Sequence, residues 1–379
     1  MTFTNITTRG REYFLPRSGN RESSGDVTVK PAKHAHDHFF AFGLPLILVT
    51  YVLANYAPSF DSRSSLTQYF HGVYSSRVLG RETVVGLANS IGYLCTICGW
   101  TSHYDVIIGW SVTNGLSFMV AAHLMYRMVT RSGANSLLLY GVMLMAMTVS
   151  ASVVTPYDLM SYALIICVLQ SSTGGPSWQC AILMVLAVAT RESALLIIPI
   201  FAITQVEVTH EMASSVSTLL RGVGRTLRKS ATLWLLTSVG LTTYVALKLV
   251  SLDSGQHPLL VHHVGTSGHV GMKNICGVLI ASLMWGVTRW AVKFVSGSAA
   301  VASRCNLLWL LAIPYLAICL IWGIWSEAPR LIMPLLIGEF LLAITAPSSD
   351  ARRLSMPKST SKRIVGGAGR SRTPVIATK

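Results

Sequence analysis

Of the 379 residues, 51% are hydrophobic and only 12% charged, and the mean hydropathy is +0.53, whereas a soluble domain carries about 25% charged residues. A water-soluble fold is excluded. The net charge of +15 would point to nucleic acid in a soluble chain, but here Lys and Arg gather in two tails and a few connections, as topology control and contact with anionic membrane lipids require, and no Walker, zinc-finger or RNA-binding motif is present, so no nucleic-acid partner is expected.

Residues 1 to 37 are polar and basic, rich in Gly, Ser and Arg, and cannot bury a core. They predict a disordered tail. The first apolar run starts near Phe39, too far along for a cleavable signal peptide, so the first span is expected to stay as an anchor. Apolar stretches near the roughly 20 residues that cross hydrocarbon then recur, at about 38 to 57, 84 to 99, 105 to 127, 136 to 154, 158 to 171, 178 to 203, 232 to 251, 273 to 294, 305 to 325 and 330 to 347. Runs such as Leu137 to Val149 are apolar nearly all round, not alternating as barrel strands are. The fold class is therefore all-α, a polytopic bundle of about ten spans over 38–347. A second basic tail, predicted to be disordered, covers 348–379.

Ten spans put both termini on one side. The charges of the N-terminal tail, of Arg221, Arg225, Arg228 and Lys229, and of Arg289, Lys293 and Arg304 mark that side as cytoplasmic. The opposite face of the cell membrane is left with Arg63, Arg77, Arg81, Arg127, Arg131, Lys248 and Lys273. The short fifth span is where this alternation is most easily broken. Within the 58 to 83 connection, Leu66, Phe70, Val73 and Leu79 recur at near-helical spacing, which predicts a helix lying on the bilayer.

Ionisable groups inside spans cost several kcal/mol unless paired or hydrated, roughly 2.5–3.5 at the helix centre. Arg191 and Glu192 stand within the apolar run from Ala181 to Ile200. Adjacent residues of a helix do not face the same way, so each needs its own partner or marks a break. Glu327 and Arg330 join the last two spans between prolines, and Arg330 can hold a phosphate bidentately. Asp158 opens the fifth span, where it reads as a helix cap. Seven cysteines, including Cys95 and Cys98, lie mostly in apolar stretches and read as small buried hydrophobes. Two histidine clusters, at His34, His36 and His38 and at His257, His262, His263 and His269, lack the spacing of a zinc site, and no metal ligands are assigned.

A first outer loop with Asp61, then Tyr74-x-x-Arg77-Val78-Leu79, Tyr157-Asp158-Leu159, Arg191-Glu192-Ser193 and Glu327-x-x-Arg330 follow one another in the chain. This order resembles multi-spanning envelope proteins of unassigned role and, more distantly, the GT-C glycosyltransferase superfamily. The resemblance implies a transferase whose donor is a polyprenyl-phosphate-linked sugar at the extracytoplasmic face. It makes Asp61 the catalytic base, or the partner of a divalent cation, and gives the donor phosphate to Arg330 with Arg77 and Arg81. Arg191, Glu192 and Glu327 complete the implied substrate site. The chain departs from the pattern in having no Asp-Asp or Glu-x-Asp pair beside Asp61 and no soluble C-terminal domain. Two alternatives stand beside it: a transporter or flippase with Arg191 and Glu192 as gating groups, and a non-catalytic scaffold bound through its basic tails.

Overall fold

A computed structural model describes residues 37–56, 77–99, 105–132, 136–151, 158–172, 177–206, 216–253, 272–321 and 327–345. Both tails lie outside these residues apart from Asp37, as do Asp61, the expected surface helix up to residue 76 and the histidine clusters apart from His38. The described residues are almost all helical, without a strand. Helix α1 (Leu44–Tyr56) is entered through a π-helical turn (Phe39–Gly43). There follow α2 (Val78–Ile97), α3 (Asp105–Ser132), α4 (Ser136–Ala151), α5 (Asp158–Ser172), α6 (Ser177–Thr190), a 3-10 turn (Glu192–Leu196), α7 (Ile197–Thr204), α8 (Val216–Lys229), α9 (Ala231–Asp253), α10 (Met272–Ser296), α11 (Ala299–Ile321) and α12 (Ala328–Ile344). Among the described residues, four stretches are long and apolar enough to cross a membrane: Asp105–Ser132, Ala231–Val250, Asn274–Ser296 and Ala299–Ala317. The chain is thus a membrane-embedded helical protein.

The axis of the bundle is α12. Every residue from Pro329 to Ile344 is buried, as expected of a helix that is apolar all round. Outer helices instead carry large exposed apolar side chains, among them Ile275, Leu279, Leu283, Trp290 and Phe294 on α10. A water-soluble protein would cover such a face, whereas a bilayer solvates it. Close helix approach rests on small residues. A Cβ on Gly109 would come within 2.9 Å of the Ala88 nitrogen and 3.1 Å of the Val84 oxygen, so α2 and α3 meet backbone to backbone.

Two of the carbonyls that prolines free are filled by tyrosines. Pro334 has no N–H for the Arg330 carbonyl four residues earlier, and the Tyr162 hydroxyl donates to that oxygen at 3.4 Å. Pro45 likewise leaves the π-helical turn without a donor for Phe40, whose carbonyl accepts from the Tyr140 hydroxyl at 2.9 Å.

Two hydrogen bonds define one end of the bundle. Tyr126 donates to Asp37 Oδ1 at 3.2 Å and Ser132 donates to the Ile344 carbonyl at 3.0 Å. The start of the first helix, the C-terminus of α3 and the C-terminus of α12 therefore share one end. This corrects the sequence reading of Arg127 and Arg131, which lie near the C-terminus of α3 at the end that both tails leave from, not at the opposite one.

The expected single span over 178 to 203 is also corrected. Thr190 ends α6, Arg191 is extended at φ −162°, ψ 136°, and a 3-10 turn leads into α7. A Cβ on Gly240 would meet both Met184 and Leu195, which an unbroken helix would hold about 16 Å apart. Further on, Ile200 reaches Gly338, and the Arg304 guanidinium holds the Val206 carbonyl. The chain turns back at Arg191, and α6 and α7 form a hairpin whose tip carries the charge.

Candidate functional site

At the end opposite the tails, five parts of the fold bring charge together: the N-termini of α2, α5 and α12, the tip between α6 and α7, and the last turns of α9. Asp158 is the first residue of α5 and is 1% exposed. Its Oδ1 accepts from Arg191 Nη1 at 2.6 Å, and its Oδ2 lies 3.7 Å from Arg330 Nη1. The cap expected of Asp158 is instead the anion of a buried ion pair. Arg330 sits in the first turn of α12 and also donates to Glu327, three residues earlier.

Beside this dry centre is a second, more open group. Glu192 Oε2 accepts from Arg77 Nε at 3.0 Å and its Oε1 from Lys248 Nζ at 3.4 Å. The side chains of Arg191, Asp158 and Arg330 are each 2% exposed, whereas Glu192 and Glu327 are 24% and 21% exposed. Adjacent Arg191 and Glu192 thus serve different groups, one turned inward and one outward. The extended backbone at Arg191 makes that divergence available.

Among these residues are four cations (Arg77, Arg191, Lys248, Arg330) and three carboxylates (Asp158, Glu192, Glu327). The surplus is one cation and lies in the dry centre, where Arg191 and Arg330 share Asp158. The more open Arg77 and Lys248 are matched in number by Glu192 and Glu327, and the cluster as a whole is net positive, which suits an anion. Each carboxylate faces a cation, and among the described residues no group of three or more His, Cys, Asp or Glu side chains could hold a metal ion. These carboxylates therefore do not fit a divalent-cation site.

Of the residues singled out in the sequence, Arg77, Arg191, Glu192, Glu327 and Arg330 come together here. Arg81 does not, as it pairs with Glu82 at 2.7 Å on the surface of α2. Sequence reasoning missed Lys248 as a site residue and gave Asp158 too modest a role. A lone lysine between Leu247 and Leu249 was signal enough, because an ionisable side chain in an apolar run needs a partner.

A second buried charge was missed on the same ground. Glu339 of α12 is 0% exposed. Its Oε1 accepts from Trp309 Nε1 at 2.6 Å and lies 2.7 Å from Arg289 Nε, while Arg289 Nη2 donates to Asn306 at 2.8 Å and the guanidinium stacks over Trp285. On the outer surface, an apolar groove of ≈ 600 Å³ runs between the first helix, α4 and α10, lined by Leu44, Leu48, Met145, Val149, Leu283 and Met284 among others.

No family model matches the chain, and neither a curated protein nor a solved structure matches it.

Proposed function

We propose that the protein is a multi-pass cell-membrane transferase of the GT-C kind, taking a sugar from a polyprenyl phosphate at the extracytoplasmic face. The observation that carries this reading is the convergence of Arg77, Arg191, Lys248 and Arg330 at one end of the bundle, dry at Arg191 and Arg330 and partly exposed at Lys248 and its partner Glu192. Positive charge supports the orientation. Arg127, Arg131, Arg221, Arg225, Arg228 and Lys229 are exposed cations at the end from which the tails depart, as expected of a cytoplasmic face, while Arg77 and Lys248 at the other end are engaged by Glu192.

In this reading the donor phosphate sits against the guanidinium groups, and Asp61, which precedes Arg77 in the chain, receives the proton of the acceptor hydroxyl. The hydroxyl oxygen bonds to the anomeric carbon as the bond from that carbon to the phosphate oxygen breaks. The electron pair leaves on the lipid phosphate, where the cations stabilise it. The apolar groove along α4 supports a long-chain donor by offering hydrocarbon a place on the bundle surface.

The test is transfer of labelled sugar from a polyprenyl phosphate by the purified protein in vesicles, wild type against Asp61→Asn. Loss of a general base lowers the rate by about 10²–10⁴-fold. Full transfer by a correctly inserted Asp61→Asn protein would remove Asp61 from its role, and absence of transfer by the wild type across a panel of sugars would sink the enzyme reading.

The transporter reading is favoured by one observation, the helix broken at Arg191, since discontinuous helices form the binding sites of many transporters. Flux of solute or flipping of lipid that Arg191→Lys abolishes, in vesicles showing no sugar transfer, would put it first.

A further inference from the structure

Among the described residues, helix α8 is the one element that combines a strongly basic face with an apolar one. Val216, Leu219, Leu220, Val223 and Leu227 recur at the three- and four-residue spacing of a single helix side. Arg221, Arg225, Arg228 and Lys229 fall on the opposite side, and all four are exposed. No Asp or Glu occurs between Val216 and Lys229, so nothing within the helix neutralises them. Gly222 and Val223 are buried, and α8 packs on α7 and α11. The neighbouring cation Arg304 is turned away to the Val206 carbonyl, which leaves the exposed row to face a partner.

The position of α8 decides which partner. Only Ser230 separates it from α9, and the junction is held by hydrogen bonds: Ser230 N donates to the Thr226 carbonyl at 3.0 Å, Trp234 N to the Ser230 carbonyl at 3.2 Å, and Leu233 N to Ser230 Oγ at 3.2 Å. A stretch apolar enough to span the membrane begins at Ala231. The basic row is thereby fixed at a membrane boundary, at the end of the bundle that also exposes Arg127, Arg131 and Lys293. An amphipathic helix so placed lies at the level of lipid phosphates. Spacings of four and three residues set Arg221, Arg225 and Arg228 along about 10 Å of helix, enough to reach more than one headgroup.

We propose that α8 is a binding surface for anionic phospholipid headgroups of the leaflet on the side of the tails, with Arg221, Arg225, Arg228 and Lys229 as the phosphate ligands. Its role is independent of the charge cluster at the far end, so it stands whether or not that cluster transfers sugar. The surface reads charge density, not headgroup shape, and it holds the α8–α9 junction against the bilayer.

The full-length protein in mild detergent, titrated with phosphatidylglycerol or phosphatidylcholine and followed by native mass spectrometry, tests this. Wild type should retain the anionic lipid in preference, and the preference should fall with added salt. Arg225→Gln should weaken retention about fivefold, the effect of one surface cation, and glutamine at all four positions should abolish the preference. Lysine at the three arginines should preserve it, because the charge remains. If the four-glutamine protein loses its fold, Arg225→Gln and the lysine variant still decide the matter. Undiminished preference in Arg225→Gln would overturn the proposal. So would unchanged lipid retention alongside lost binding of a single-stranded DNA or polyglutamate probe, which would reassign the surface to a polyanion partner.

Discussion

Glu339 and Arg330 belong to the same buried helix, and each meets opposite charge from neighbouring elements, yet the two surroundings differ in kind. Glu339 lies inside α12 and is met by side chains from the interiors of α10 and α11, so three unbroken helices are tied together through Arg289 and Trp309. Arg330 lies in the first turn of its helix, and what it meets comes from helix ends: Asp158 at the start of α5, which also holds Arg191 of the hairpin tip, and Glu327 just ahead of α12. Charge between unbroken helices has nowhere to go and fixes packing. Charge at helix ends, graded from 2% to 24% exposure, can receive a ligand without unfolding anything. The same residue types thus make a lock in one place and a candidate site in the other.

The largest effect should come from Asp158→Ala, which leaves the Arg191 and Arg330 guanidinium groups buried without their shared carboxylate. Removing one partner of a buried pair costs roughly 3–5 kcal/mol, readable as a fall in unfolding temperature in detergent. Asp158→Leu combined with Arg191→Met should recover much of that stability, because an apolar pair of similar volume is often neutral, while the proposed sugar transfer stays lost. Recovery of both would make the dry centre of the cluster purely structural.

A smaller change is expected of Glu339→Gln. The amide oxygen can still accept from Trp309, and Arg289, whose side chain is 20% exposed, can turn outward. The cost is about 1–3 kcal/mol, with activity per folded molecule unchanged; selective loss of activity would contradict the lock.

Glu192→Gln sharpens the contrast from the other side. Its ion pairs with Arg77 and Lys248 are partly exposed, so stability should move by less than about 1 kcal/mol, but ligand binding should suffer, because the two cations lose the carboxylate that orients them. A large stability loss without a functional one would turn the outer group into a second lock. Arg81→Gln, which breaks only a surface pair with Glu82, should stay within about 0.5 kcal/mol and leave activity as it is; lost activity would return Arg81 to the site.

Much of the candidate site was legible as a set of residues and little of it as an arrangement. Arg191, Glu192, Glu327 and Arg330 stand out in apolar surroundings, because a charge within hydrocarbon demands an explanation. Lys248 and Glu339 carried the same signal and were passed over. Which carboxylate answers which cation could not be read, since Asp158 and Arg191 are far apart in sequence and meet only through the packing of α5 against α6. Asp158 looked like a cap because its position in the chain names the helix it begins, not the guanidinium it faces.

Composition and the length of apolar runs by themselves determined the helical, membrane-embedded character of the protein, because backbone in hydrocarbon must bond within its own segment and that demand is local. The course of the chain was decided only by tertiary structure. The reversal at Arg191 depends on one extended residue between two apolar helices, and a hydropathy profile sees the two as one span. That turn sets the relation of every later helix to the earlier ones. It exists because the Arg191 guanidinium finds Asp158, a partner that only the folded bundle provides.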